Sequence, residues 1–259
     1  MTTIGISLKM YFGLAQTLEW CARTATLAAA VAPSTHELFV LPSFPALPAV
    51  VNLFDGSEVA VGAQDLAADD SGAQTGEVGG AMLAEIGCRY VEVGHAERRR
   101  LFGETEDVVA AKTAAALRHG LIPILCLGEA APQPPAEAAV ECLRQLDSAL
   151  SVARTTGLAG PLVVAYEPFW AIGAAEPAPD PHIIEVCMAL RDVAATLQGH
   201  CGSRVIYGGS AGPGLLTRIG RSVDGLFLGR FAHDPAALAI VLDEAAALDR
   251  GPALPGVNQ

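Results

Sequence analysis

Lysine is nearly absent from this chain: Lys9 and Lys112 are its only two, and the other 14 of its 16 basic residues are arginines. Acidic residues number 28, for a formal net charge of −12. A field of that sign repels polyanions, so neither nucleic acid nor an anionic membrane surface is an expected partner. An anionic small molecule would have to be drawn in by a local cluster of positive charge.

Long apolar runs are missing too. None approaches the ~20 residues of a membrane span. The start, Met1-Thr2-Thr3-Ile4-Gly5, has no charged region followed by an apolar stretch and a small-residue cleavage site, so a cytoplasmic protein is expected. Cys21, Cys88, Cys126, Cys142, Cys187 and Cys201 contain no C-x-x-C pair and no metal-ligand spacing. That predicts buried free thiols in a reducing compartment, with Cys88 and Cys126 in or beside apolar runs. The six histidines are equally scattered, and neither a metal nor another cofactor is expected. No G-x-G-x-x-G follows the first apolar run, which removes the dinucleotide-binding fingerprint and argues against a nucleotide-dependent dehydrogenase.

What the chain has is alternation on a large scale. Hydrophobic residues make up 51% and mean hydropathy is +0.38, so a large core is easily buried. Short apolar runs read as strands over residues 4–10, 37–42, 59–64, 89–94, 121–127, 162–167, 204–208 and 225–229. Ala-rich stretches between them read as helices, among them 14–31, 104–119, 136–155, 181–197 and 235–248. Nearly continuous apolar strands are expected where a parallel sheet is covered on both faces. Eight strand-then-helix units without a linker predict a single-domain (β/α)8 barrel over residues 1–250, with 251–259 as a loose tail. A doubly wound sheet is the alternative.

In such a barrel chemistry collects at the C-terminal ends of the strands. The sixth strand delivers Glu167 there, in Ala165-Tyr166-Glu167-Pro168-Phe169-Trp170-Ala171-Ile172-Gly173, where partial desolvation suits a carboxylate to act as a base. The first strand ends Ser7-Leu8-Lys9-Met10, and period-2 alternation puts Ser7 and Lys9 on one face. The fourth ends Gly94-His95-Ala96-Glu97-Arg98-Arg99, with His95 at the start of a helix whose positive dipole end keeps the ring neutral. Gly-rich turns close the seventh and eighth strands, Tyr207-Gly208-Gly209-Ser210 and Leu228-Gly229-Arg230, as in the usual phosphate sites of barrels. A base, a neutral electrophile, a cation and an anion cradle on separate strands suit proton abstraction beside the carbonyl of a small phosphorylated sugar.

These segments resemble the triosephosphate isomerase family from about Ile4 to Leu248, most specifically Ala165 to Gly173 and Gly94 to Arg99, with Cys126-Leu127-Gly128-Glu129 in support. A Glu base with a neutral His is that family's own known pattern. The resemblance implies a TIM barrel, Glu167 as base and His95 as the group polarising the carbonyl. It also implies Lys9 as stabiliser of the enediolate and phosphate, and Gly173, Ser210, Gly229 and the backbone of Arg230 around the phosphate. Ser7 would face the substrate, and Glu97 and Arg98 would support the site from behind. Ile172, Ala174, Ala175 and Glu176 would belong to a lid that excludes water. Gln74 and Thr75 would lie in a loop inserted into a partner subunit, giving a homodimer.

The chain also departs from the family pattern. Ser7 and Leu8 stand where Asn and Trp are usual, Ala96 replaces Ser, and the lid reads Ala174-Ala175-Glu176-Pro177-Ala178-Pro179. Arg230 replaces the second Gly of a Gly pair, so its side chain must point away, add a charge contact or reshape the pocket. The expected function is aldose–ketose isomerisation of dihydroxyacetone phosphate and glyceraldehyde 3-phosphate. Two alternatives stand beside it: the same chemistry on a four-carbon ketose phosphate such as erythrulose 1-phosphate, and a non-catalytic phosphosugar-binding barrel.

Overall fold

A computed structural model describes residues 1–30 and 36–250. The end of the first expected helix at Val31 and the expected tail 251–259 lie outside the described residues. Eight parallel strands close into a barrel in sequence order. They are β1 (Thr2–Ser7), β2 (His36–Leu41), β3 (Val59–Ala63), β4 (Tyr90–Val93), β5 (Ile122–Leu127), β6 (Val163–Tyr166), β7 (Arg204–Tyr207) and β8 (Gly225–Leu228). Closure is made by β1 against β8, with Thr3 opposite Gly225 and Ile6 opposite Leu228.

Among the described residues, ten α-helices surround the barrel or cap its loops: α1 (Leu14–Ala30), α2 (Leu47–Phe54), α3 (Gly80–Ile86), α4 (Ala96–Phe102) and α5 (Glu106–Arg118), then α6 (Pro135–Ala149), α7 (Ser151–Thr156), α8 (Asp180–Ala194), α9 (Leu215–Ile219) and α10 (Pro235–Arg250). No described helix is long and apolar enough to cross a membrane. The helix expected over 136–155 is interrupted at Leu150, whose ψ of −2° departs from α geometry for one residue.

Period 2 sorts each strand into inward and outward positions. The outward set packs against the helices as the larger core. The inward set, including Phe39, Tyr90, Ile124, Ile206 and Phe227, fills the barrel as a second cluster. Phe39 stacks on Tyr90 at 4.4 Å between centroids, and Gly5 is required because a Cβ there would overlap the Phe39 ring. The barrel is therefore a packed interior, and the open space lies above it, at the strand ends.

One expected boundary is wrong in a way that matters. β1 stops at Ser7, three residues before Met10. Lys9 adopts a left-handed backbone with φ of 49°, so it does not share a strand face with Ser7 by alternation.

Candidate active site

A cavity of about 220 Å³ opens above the C-terminal ends of the strands. Ser7, Lys9, His95, Glu97, Glu167, Ile172, Gly173, Ser210, Gly229 and Arg230 all line it. The structure thus gathers most of the residues singled out from the sequence, but by means the sequence does not display.

Lys9 reaches the cavity through its turn. Its carbonyl accepts hydrogen bonds from Ser43 Oγ at 3.1 Å and Gln64 Nε2 at 3.0 Å. Those two bonds, from the β2 and β3 loops, hold a conformation that costs a non-glycine residue about 1–3 kcal/mol. The ammonium lies 2.8 Å from Glu97 Oε1. Burial by itself lowers its pKa, but the carboxylates of Glu167, Glu97 and Glu92 outweigh this and raise it. Lys9 is accordingly a fixed positive charge at neutral pH.

His95 is the N-cap of α4, and its Nδ1 accepts the Glu97 backbone N–H at 3.1 Å. A backbone amide can only donate, so Nδ1 carries a lone pair and the proton of the neutral ring sits on Nε2. The tautomer is set by this bond, a local cause more specific than the helix dipole. His95 Nε2 is buried without a hydrogen-bond partner. It faces Glu167 Oε2 at 3.7 Å and Glu92 Oε1 at 3.9 Å.

Glu167 follows β6 directly and is 5% exposed. Its amide donates to Leu127 O at 2.8 Å. Glycines clear the space around it: a Cβ on Gly128 would overlap the Glu167 carbonyl, and one on Gly208 would lie 2.6 Å from Oε1. Oε2 is buried and has no hydrogen-bond partner. A desolvated carboxylate oxygen beside an N–H donor is a base and an electrophile aimed at one point.

On the other side of the cavity, Ser210, with φ of 52°, donates to Ala171 O at 2.8 Å and Ala174 O at 3.0 Å. This ties the turn after β7 to the loop that follows β6. Arg230 does not point away: its Nη2 donates to Gly173 O at 3.0 Å while the side chain edges the cavity. The far end of that loop is anchored by the Ala178 amide, which donates to Tyr207 Oη at 2.9 Å. The near end is held by Trp170 Nε1, which donates to Glu129 Oε1 at 2.8 Å. Ala175 and Glu176 lie exposed between these anchors.

Arg98 stays outside the cavity. It pairs with Asp65 at 2.9 Å and Glu104 at 2.5 Å, and buried Lys112 bridges the same two acids at 2.7 and 2.6 Å. Both lysines are thus committed, one to the cavity and one to the network behind α4. Gln74 and Thr75 stand exposed in the loop after β3, away from the cavity. Five cysteines are buried free thiols, whereas Cys201 is exposed, contrary to the sequence expectation.

Glu92 is the residue that the strand-end survey passes over. It sits on the inward face of β4, 3% exposed, and its Oε2 accepts Ser7 Oγ–H at 3.0 Å. Burial pushes its carboxyl up to about 7, with Glu167 adding to the rise and His95, Lys9 and the Ser7 bond opposing it. Its signal in the sequence is a lone carboxylate inside Tyr90-Val91-Glu92-Val93. Glu92, His95 and Glu167 bring ligand-type atoms within 4.8 Å of one another. The His95 atom facing the carboxylates bears the ring proton, however, so it offers a hydrogen in place of a lone pair and suits a substrate oxygen better than a metal ion.

A closed eight-stranded parallel barrel, with a base, an N–H donor and a cation at its strand ends, defines a barrel enzyme built for proton transfer beside a carbonyl. The triosephosphate isomerase family model matches residues 2–245, and the chain belongs to that family. It is 57% identical to an L-erythrulose-1-phosphate isomerase of Pectobacterium atrosepticum, over 94% of this chain and 95% of that protein. A second L-erythrulose-1-phosphate isomerase, from Rhizobium etli, is 39% identical over 95% and 94%. A triosephosphate isomerase of Moorella thermoacetica is 40% identical over 82% of this chain and 87% of that protein.

Proposed function

We propose that this chain is a sugar-phosphate isomerase acting through an enediolate, and that its substrate is L-erythrulose 1-phosphate. The observation that carries the choice of substrate is the 57% identity over 94% of the chain to a protein of that name, against 40% over 82% for a triosephosphate isomerase. The departures from the family pattern, Ser7 and Arg230, both line the cavity, where a change of substrate would be registered.

Erythrulose 1-phosphate has its carbonyl at C2 and its phosphate on C1. The carbon to be deprotonated is then C3, and the carbonyl migrates from C2 to C3. An aldose–ketose conversion describes the triose pair only; on the tetrulose the same steps interconvert two ketoses. Glu167 takes the C3 proton, and His95 Nε2–H and the Lys9 ammonium stabilise the charge that develops on oxygen. Glu167 returns the proton to C2. Gly173, Ser210, Gly229 and Arg230 hold the phosphate, and the lid over Ile172 keeps water from the intermediate. The enzyme works in the cytoplasm as a homodimer, a reading supported by the exposed loop carrying Gln74 and Thr75 and by exposed Met82, Leu101 and Phe102 on α3 and α4.

The test is kcat/KM of the purified protein on erythrulose 1-phosphate and glyceraldehyde 3-phosphate, side by side. The tetrulose is expected to be preferred by orders of magnitude. A value on the triose near the diffusional ceiling of ~10⁸ M⁻¹s⁻¹ would make the chain a triosephosphate isomerase with tolerated substitutions.

A further inference from the structure

The cavity has a direction. On the reading given above, Gly173, Ser210, Gly229 and Arg230 form the phosphate side of the cavity and Glu167 and His95 its reacting centre, with the barrel interior beneath them. Whatever a substrate carries beyond its reacting carbons, on the side away from phosphate, therefore meets the floor of the site. For a triose phosphate nothing further is there. For a tetrulose phosphate it is one hydroxymethyl group.

Ser7 lines the cavity at that place and the Glu92 carboxyl stands directly behind it, above the apolar layer of Phe39, Ile124, Ile206 and Phe227. Ser7 Oγ and the Glu92 carboxyl are joined at 3.0 Å, and the second oxygen of Glu92 has only the weak thiol donor of Cys126 at 3.9 Å. Glu92 Oε1 and Glu167 Oε2 lie 3.9 and 3.7 Å from the unpartnered Nε2 of His95. His95 Nε2–H and Glu167 Oε2 serve the reacting oxygen and carbon, so the neighbouring Glu92 carboxyl, 3.9 Å from Nε2, is left to bond a hydroxyl on the next carbon. A carboxyl group in this barrel is costly unless something binds it.

We propose that Ser7 and Glu92 form a hydroxyl-binding floor for the terminal hydroxymethyl group of a four-carbon ketose phosphate, and that Glu92 selects this substrate over a triose phosphate. The proposal rests on the substrate reading given above and names the side chains that enforce it. The groups facing Glu92 are Ser7 from β1, Lys9 beyond it, His95 above, Cys126 from β5 and Glu167 from β6. In this company a carboxyl that keeps its proton near neutrality both donates to and accepts from a hydroxyl. A buried polar group built to bond a substrate hydroxyl discriminates strongly against an analogue that lacks it, because the group is then left unpaired.

The experiment compares wild type, Glu92→Val, Glu92→Gln and Ser7→Ala on erythrulose 1-phosphate and glyceraldehyde 3-phosphate, with thermal melting as the check on folding. The readout is the ratio of the two kcat/KM values, which a general loss of structure would not move in one direction. Glu92→Val is expected to lower the tetrulose-to-triose ratio at least ~100-fold and Ser7→Ala ~10-fold, while Glu92→Gln, whose amide still bonds a hydroxyl, stays within ~10-fold of wild type. If wild type prefers the triose, the substrate reading and this proposal fall together. If wild type prefers the tetrulose but the folded Glu92→Val or Ser7→Ala proteins keep its ratio, only the proposal falls. A Glu92→Gln ratio as low as that of Glu92→Val also overturns hydroxyl recognition.

Discussion

Replacing Glu92 by Gln should change how the stability of the protein depends on pH, by an amount the structure sets. Burial among the inward side chains of the barrel moves this carboxyl from an ordinary 4.5 to about 7 on folding. The folded pKa is the raised one, so the folded state holds its proton where the unfolded state has already released it. The contribution to stability is fully present below pH 4.5 and is lost as pH climbs through 7. A shift of this size corresponds to about 3 kcal/mol, falling by ~1.4 kcal/mol per pH unit across the window and flat above it. That value already includes the opposing pull of His95, Lys9 and the Ser7 bond, which burial outweighs. Glutamine in the same place has no proton to lose. The assay is urea unfolding of wild type and Glu92→Gln at pH 4.5, 6, 7 and 8 and fixed protein concentration, taking the difference in unfolding free energy at each pH. Groups common to both proteins, such as the Asp65 and Glu104 network, largely cancel in that difference. Glu92→Gln should gain about 3 kcal/mol relative to wild type between pH 4.5 and 8. A difference that stays flat would refute the reasoning, since Glu92 would then ionise in the barrel as readily as in water.

Two further outcomes follow from the cavity. Glu167→Ala, His95→Ala and Lys9→Ala should each lower kcat/KM by roughly 10²-fold or more, general-base removal being the most severe; full activity in any one removes that residue from the mechanism. Arg230→Gly deletes the bond to Gly173 O at 3.0 Å together with a cation at the cavity edge. It should raise KM and the inhibition constant of inorganic phosphate about 10-fold with less effect on kcat, a charge-assisted contact being worth about 1.5–3 kcal/mol; unchanged phosphate inhibition would show that Arg230 serves the lid alone.

Most of the fold was legible because it depends on periodicities that a linear chain displays. Val163-Val164-Ala165-Tyr166 can be buried on both faces only in a covered parallel sheet, and the carboxylate that ends it must then stand at the barrel mouth. What was not legible depends on partners distant in the chain. Lys9 reads as the next inward residue after Ser7, yet Ser43 and Gln64 hold its carbonyl in a left-handed turn. Arg230 permits three orientations in sequence, and only the lid carbonyl 57 residues away selects among them. Glu92 combines both cases. Alternation within Tyr90-Val91-Glu92-Val93 already turns it inward beside Tyr90, where a carboxylate in an apolar strand looks like an error of patterning. Its meaning comes from Ser7, 85 residues earlier, and from the shared approach to His95 and Glu167. Ser7 and Glu92 are coupled through one hydrogen bond, so the shorter side chain where the family usually has Asn and the acid buried in β4 belong to one feature of the site. A departure at a strand end is best interpreted with the inward residues of neighbouring strands, which set the chemistry of the floor beneath it.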